Sequence, residues 1–469
     1  MKNKYKIIGI SLLLMLTLFT SCQHEEKIDE TKVMNTENME VKPEINLYLD
    51  GTGNNYWEVL IEQFKYEHPE VKVNITDYSK LAPDEYRTKL SSELMVGKGP
   101  DVLLVINDGN ETTDYMPDML KMIQNNVFMD VNELEIDFSE CNQTVMKAGV
   151  YKDKQVIVPL NYSLGFLYST VERMEKAGVD YYDGMTLEEF SAQFPTFYRN
   201  NPEKKAFIHY LGAQFLFPHN GIQLIDYNTN EFLSVEKGLD IMGSYTKCFD
   251  NLFPNLFDST ENVMDYMFYR NVTKYGNSDP DIYHSGDLLF LSGRGFQGNF
   301  ETISMLNYNV YNIDVEKSET PVMFPMPTIT GKMAAPRITY YLVVNANTTN
   351  TYSVEKFIDT AIGKDFQYTT TGAGILINQE LMEYMHEYYL SEGYDPAEKY
   401  IFAKNCEFDK AFVEKYFEYI NNMSEPIFFM DRTSSSYIFS IVRNGILDNS
   451  TFEDMYKSAK SQLEFYLGE

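Results

Sequence analysis

INLYLD (residues 45–50), GTGNN (51–55) and the run that leads on to DVLLVI (101–106) decide the fold. INLYLD alternates apolar and polar positions, the period of a strand with one covered face. Gly51 to Asn55 reads as a loop, with Asn54 or Asn55 placed to cap a helix. Trp57, Leu60, Ile61 and Phe64 follow at i, i+3, i+4 and i+7, one face of a helix, and Pro69 stops it. Val71 to Ile75 alternates again. Tyr86, Leu90 and Leu94 mark a second helical stripe, ended near Gly97. Asp101 to Ile106 is an apolar run, as expected of a parallel strand covered on both faces. The order β-α-β-α-β predicts an α/β layered lobe.

Working outward, Val156 to Val158 and Leu164 to Tyr168 read as strands around Pro159. Thr170 to Ala177 reads as a short helix stopped by Gly178. Thr186-Leu-Glu-Glu189 and Ser450-Thr-Phe-Glu453 are capping boxes, each opening a helix. The second helix would bury Phe452, Met455, Tyr456, Ala459, Leu463 and Leu467. Ile338 to Val344 is a further strand. Trp57, the only Trp, is expected in the core.

The whole chain has 469 residues, 44% hydrophobic and 23% charged, which fits a folded soluble protein of two or three cores. Its net charge of −30 repels phosphate backbones and argues against a nucleic-acid partner. At the N-terminus, Lys2, Lys4 and Lys6 precede a largely apolar run, Ile7 to Phe19, too short for a transmembrane helix but suited to a signal peptide. Gln23 to Glu44 is polar and reads as a tether. The four Cys (Cys22, Cys141, Cys248 and Cys406) are widely spaced, with no metal-ligand pairing.

Several tempting motifs fail on context. Gly293-Arg-Gly-Phe-Gln-Gly298 matches a dinucleotide loop, but Pro321, Pro325 and Pro327 break the unit that should follow. Asp226 to Asn230 resembles the start of a calcium loop, yet Glu231 and Lys237 occupy positions that need Gly and Glu, so a hairpin turn is expected. Ser353-Val-Glu-Lys356 lacks the companion motifs of an acylating serine, and Ser353 is read as a helix cap. No cofactor and no metal site are expected.

Two resemblances carry the functional expectation. Phe19-Thr-Ser-Cys22 resembles the lipobox of bacterial lipoproteins, with Phe19 where that pattern has Leu, and this implies acylation of Cys22. Phe64 to Val73, Gly97-Lys-Gly-Pro-Asp-Val102, Tyr151 to Pro159 with Leu167-Tyr168, Glu175 to Gly178, Thr186 to Phe190, Asn220-Gly221, Phe324 to Pro327 and Lys356 to Ile358 with Gln367 resemble, in order, the extracellular solute-binding proteins of ABC importers, the maltose-binding-protein group. The resemblance implies an α/β fold of two discontinuous lobes joined by crossing strands, of the type II periplasmic-binding-protein kind. The implied divisions are a signal peptide at 1–21, a tether at 22–44, the first lobe at 45–160 and 326–363, and the second at 161–325 and 364–469. It further implies capture of a sugar or other small solute in the interlobe cleft, delivery to membrane permease subunits, a monomer, and a lipid-anchored place outside the cytoplasmic membrane, with no catalysis. A lipid-anchored hydrolase of surface glycans or peptides, or a sensor docking on a membrane kinase, are the competing readings.

Loops after strand ends face the cleft in such sheets. Asp50, Thr52 and Asn54 follow the first strand, and Asp108 follows the buried one. Asp50 and Asp108 stand where the resemblance places polar ligand contacts. Tyr162, Phe215 and Phe217 are candidate aromatic faces, Phe296 and Gln297 stand near a family aromatic turn, and Arg337 and Tyr340 open a strand toward the cleft.

Overall fold

The computed structural model describes residues 43–49, 55–106, 118–202, 216–232, 235–253, 291–292, 320–370, 373–391, 410–428 and 432–468. The strands are β1 (Glu44–Leu49), β2 (Lys72–Asp77), β3 (Val102–Ile106), β4 (Val150–Tyr151), β5 (Lys154–Gln155), β6 (Val158–Ser163), β7 (Phe166–Thr170), β8 (Ile225–Asp226), β9 (Glu231–Phe232), β10 (Leu291–Ser292), β11 (Pro321–Pro325), β12 (Arg337–Val344) and β13 (Ile375–Leu376). Among the described residues, one sheet runs β13-β6-β12-β3-β1-β2 and a second runs β10-β7-β11.

The first lobe follows from the opening pattern. β1 pairs in parallel with β2 and β3. Helices α1 (Asn55–Glu67) and α2 (Pro83–Met95) make the crossovers. Trp57, Leu60, Ile61 and Phe64 are all buried, as are Tyr86, Leu90 and Leu94. Each such side chain contributes about 1.5–3 kcal/mol on leaving water, so Leu60→Ala alone would cost about 2–5 kcal/mol. The Gly-Lys-Gly-Pro-Asp-Val turn has a structural cause. Gly97 and Gly99 adopt φ of +71° and +101°, conformations that L side chains avoid. They bring Asp101 under β1, where its carboxylate accepts from the Asn46 backbone N–H (2.7 Å), Asn46 Nδ2 (2.8 Å), Thr348 Oγ1 (2.5 Å) and Asn350 Nδ2 (3.0 Å). One buried carboxylate thus ties the start of β3 to β1 and to the loop after β12.

β12 inserts antiparallel between β3 and β6, far from both in sequence. Two α/β lobes joined by crossing strands result, the type II periplasmic-binding-protein arrangement. The chain passes from the first sheet to the second between β6 and β7 and returns between β11 and β12. These passages touch: Gly165 accepts from the Met326 backbone N–H (2.8 Å), and a Cβ at Gly165 would sit 2.8 Å from Met326 Sδ. Helix Leu216–His219 grips the return. The buried His219 Nε2 donates to the Met326 carbonyl (3.2 Å), while its own carbonyl accepts from Ala335 N–H (2.9 Å). Burial pushes the imidazole down to about 4, against the opposing pull of the Met326 and Pro327 carbonyls.

Three sequence readings are corrected. The chain does not leave the first lobe at residue 363. β13 pairs with β6, stitched by Gln367, whose amide donates to the Leu160 and Ala361 carbonyls and accepts from Ile377 N–H. The helix Gln379–Leu390 also packs in the first core. The last helix starts one residue later than read: Thr451, not Ser450, receives the Asp454 N–H (3.2 Å), because Asp454 stands where the cap needs its partner. Ser353 lies inside the helix Thr351–Ile362 rather than capping it.

Other local readings hold. Thr186 and Glu189 close a reciprocal capping box. Asp226 to Asn230 is the turn of hairpin β8–β9, with the Asp226 carboxylate accepting from Asn228 N–H and Asn230 at φ +57°. Cys141 and Cys248 are free and buried. Cys22, Cys406 and the Gly293–Gly298 run lie outside the described residues. Among those described, no helix is long and apolar enough to cross a membrane.

Candidate functional site

The C-terminal ends of the parallel strands β1 and β3 face the interlobe passage. The loops that leave them, with Asp50, Thr52, Asn54 and Asp108, lie outside the described residues, as do Phe215, Phe296 and Gln297. Their anchoring ends are placed. Ile106 closes β3 and stands opposite Tyr340 of β12. Asn55 begins α1 directly after the first loop, which brings Tyr56 and Trp57 to the same edge.

There the residues form one aromatic group. The Tyr56 and Tyr340 rings stack at 4.2 Å and 13°, and Trp57 meets Tyr340 edge-on at 5.9 Å. Phe366 closes on Tyr56 edge-on at 5.2 Å. Tyr56 Oη donates to Asn161 Oδ1 (2.6 Å) on β6. Burial, then the neighbouring Tyr340 hydroxyl, pushes the Tyr56 hydroxyl well above its ordinary range, so it stays a neutral donor. At the passage itself, half-buried Arg337 directs Nε to Ser163 Oγ (3.3 Å), joining the start of β12 to the end of β6.

The structure therefore gathers Tyr340 and Arg337 with Tyr56, Trp57 and Asn161. It separates the other two described candidates from them. Tyr162 is 0% exposed, and as the strand alternates its side chain lies opposite that of Asn161. Phe217 is likewise 0% exposed, in the second core. Neither offers a face to a solute here. Tyr56 and Asn161 were not singled out as contacts in the sequence. Asn161 carried a usable signal: a lone amide inside the apolar run from Val156 to Tyr168 must have a polar partner.

Chemically the group presents the half-buried Tyr340 and Arg337 at the passage, with Tyr56, Trp57 and Asn161 buried behind them. That set fits stacking on apolar ring faces and hydrogen bonding to hydroxyl groups. Among the described residues, no three His, Cys, Asp or Glu side chains cluster to hold a metal.

No curated protein sequence matches the chain significantly. Solved structures do match. The maltose-bound MalE3 of T. maritima aligns over 90% of this chain and 99% of its own, at 16% identity and a TM-score of 0.53. An ABC substrate-binding protein of Listeria monocytogenes in complex with cycloalternan aligns over 91% and 99%, at 15% identity and 0.56. The cyclic alpha-maltosyl-1,6-maltose binding protein of Arthrobacter globiformis aligns over 90% and 98%, at 12% identity and 0.57. At such identities these likenesses bear on the fold. The family model of the bacterial extracellular solute-binding proteins matches residues 50–368, more than half of the sequence. With that match and this strand order, the chain belongs to the bacterial extracellular solute-binding protein family.

Proposed function

We propose that this protein is the lipid-anchored receptor of an ABC importer, and that it captures an oligosaccharide between its lobes and delivers it to membrane permease subunits. The observation that carries the reading is the family match over residues 50–368 on a type II two-lobe sheet. The carbohydrate ligands named for the structural neighbours support a sugar, as does the stacked Tyr56–Tyr340 wall beside Asn161 and Arg337. Asp50, Thr52, Asn54 and Asp108, on loops leaving the same strand ends, belong to the proposed contact set. The signal-like residues 1–21 and Cys22 support secretion and acylation, with residues 22–44 as the tether. Binding proceeds without turnover: ligand touching both lobes favours the closed form that the permease recognises.

A thermal-shift panel on residues 30–469 against mono- and oligosaccharides, peptides and polyamines tests this. A native-state ligand at a hundredfold excess over Kd adds about 2.7 kcal/mol of stability. A rise with one saccharide class, and unchanged saccharide on chromatography afterwards, is the expected result. A rise only with peptides or polyamines would refute the sugar assignment, and a consumed ligand would refute binding without turnover. Mass spectrometry of the mature N-terminus checks acylation of Cys22.

A further inference from the structure

A cavity of about 280 Å³ lies beside the return passage from β11 to β12, and no residue of the aromatic group at the strand ends lines it. Its walls are the passage with the turn that follows, the loop from Tyr181 to Met185, and the end of the helix Lys410–Asn421. These walls are fastened to one another. Tyr181 Oη donates to the Pro325 carbonyl (2.9 Å), and its ring packs on Phe324 at 4.4 Å. Gly331 approaches Gly184 so closely that a Cβ there would meet the Gly184 carbonyl oxygen at 2.3 Å. From the helix, Tyr419 Oη donates to the Asp183 carboxylate (2.9 Å). The cavity is therefore bounded by tied elements rather than by slack in a loop.

The polar groups of the walls already hold a cation. Asp183 and Glu418 both line the cavity, and both accept from the Lys415 ammonium, at 2.6 and 3.1 Å. That ammonium lies over the Tyr419 ring, 4.8 Å from its centroid. Two carboxylates thus share one ammonium. Each is still more than half exposed (56% and 55%), so lone pairs remain for a second donor. Lys332, the other charged residue of the walls, is exposed and joins neither. Two tyrosine rings and three methionines supply most of the apolar lining. We propose that this cavity is a second binding site, distinct from the cleft, for a small organic ammonium ion on an alkyl stem. Its N–H groups donate to Asp183 and Glu418, the tyrosine rings attract its charge, and the methionines cover the stem. Lys415 displays the same recognition from within the chain. An anion would meet two carboxylates there, and a neutral hydroxyl forgoes the charge-assisted bonds. The site is independent of the solute that the cleft takes.

The probes are n-pentylamine and its neutral counterpart 1-pentanol, titrated into the mature chain at constant ionic strength and followed by calorimetry. Pentylamine should bind saturably at one site, and pentanol far more weakly. Glu418→Gln removes a charged acceptor at an exposed position, so the fold should stand while pentylamine affinity falls about tenfold. Lys415→Met vacates the shared carboxylates and should tighten pentylamine binding. Glu58→Gln makes the same charge change on the exposed face of α1 and should leave the affinity as it is. Equal binding of amine and alcohol, or wild-type affinity in Glu418→Gln, overturns the proposal. So does an equal loss in Glu58→Gln, which would mark a general attraction to a chain of net charge −30. Weaker binding in Lys415→Met, or no saturable binding of pentylamine to the wild type, overturns it as well.

Discussion

His219 allows a quantitative test of how the return passage is held. Its ring is buried against the Met326 carbonyl, and the folded chain takes up the imidazole proton only near pH 4. The unfolded chain takes it up near the ordinary value of about 6.5. Between those values the unfolded state binds more protons, so acidification favours unfolding. The contribution is fully present above about pH 6.5, falls as pH drops toward 4, and levels off below. A separation of about 2.5 units at 1.36 kcal/mol each gives about 3 kcal/mol. His219→Gln keeps a donor near the Met326 carbonyl and cannot take up this proton. Urea unfolding of both proteins at pH 7, 5.5 and 4 isolates the effect, because the carboxylates common to both cancel in the difference. The wild type should lose about 3 kcal/mol more than the variant between pH 7 and 4. Parallel stability curves would refute the reasoning, by showing that the ring is hydrated or already charged in the folded state.

Three further outcomes follow from the geometry. Asp101→Ala strands four donors around a buried site and should cost at least about 3 kcal/mol in urea unfolding. Gly184→Ala meets nothing within 4 Å but sits at φ +90°, so it should cost about 1–2 kcal/mol; Gly331→Ala, at φ +73° and only 2.3 Å from the Gly184 carbonyl, should cost clearly more by calorimetry. Burial pushes the Cys141 thiol up to about 12 and the Cys248 thiol upward as well, so an alkylating reagent at pH 8 should modify both only after unfolding, as peptide mapping would show.

The sequence spoke clearly where structure is local. The alternation of INLYLD, the helical stripe from Trp57 to Phe64, and the Thr186 capping box depend on neighbours a few residues away, and each forms where expected. β13 was missed because two residues carry no period, and its place is decided by Gln367 and by pairing with β6, more than 200 residues earlier. The shift of the last cap from Ser450 to Thr451 reflects two adjacent hydroxyls, each with an acidic residue three positions on, which spacing alone does not rank. The site was half legible. Tyr340 and Arg337 follow from the strand that opens toward the passage. Tyr162 and Phe217 are core because aromatic type does not say which face of an element is covered.

The central position of β12 also governs how this chain is born. β3 and β6 do not pair with each other; each pairs with β12, which leaves the ribosome about 175 residues after β6. Until then the first sheet has an open seam, and the loop that must close is long, which makes assembly slow. The final helix adds a second delay, since Tyr466 packs into the first core while Ala459 and Leu463 pack into the second. A nascent chain built this way cannot complete its first sheet until β12 has been made. Under the proposed secretion, that is the state in which a polypeptide can be threaded through a narrow translocation channel, and the native lobes would lock only after β12 and the final helix had reached the far side.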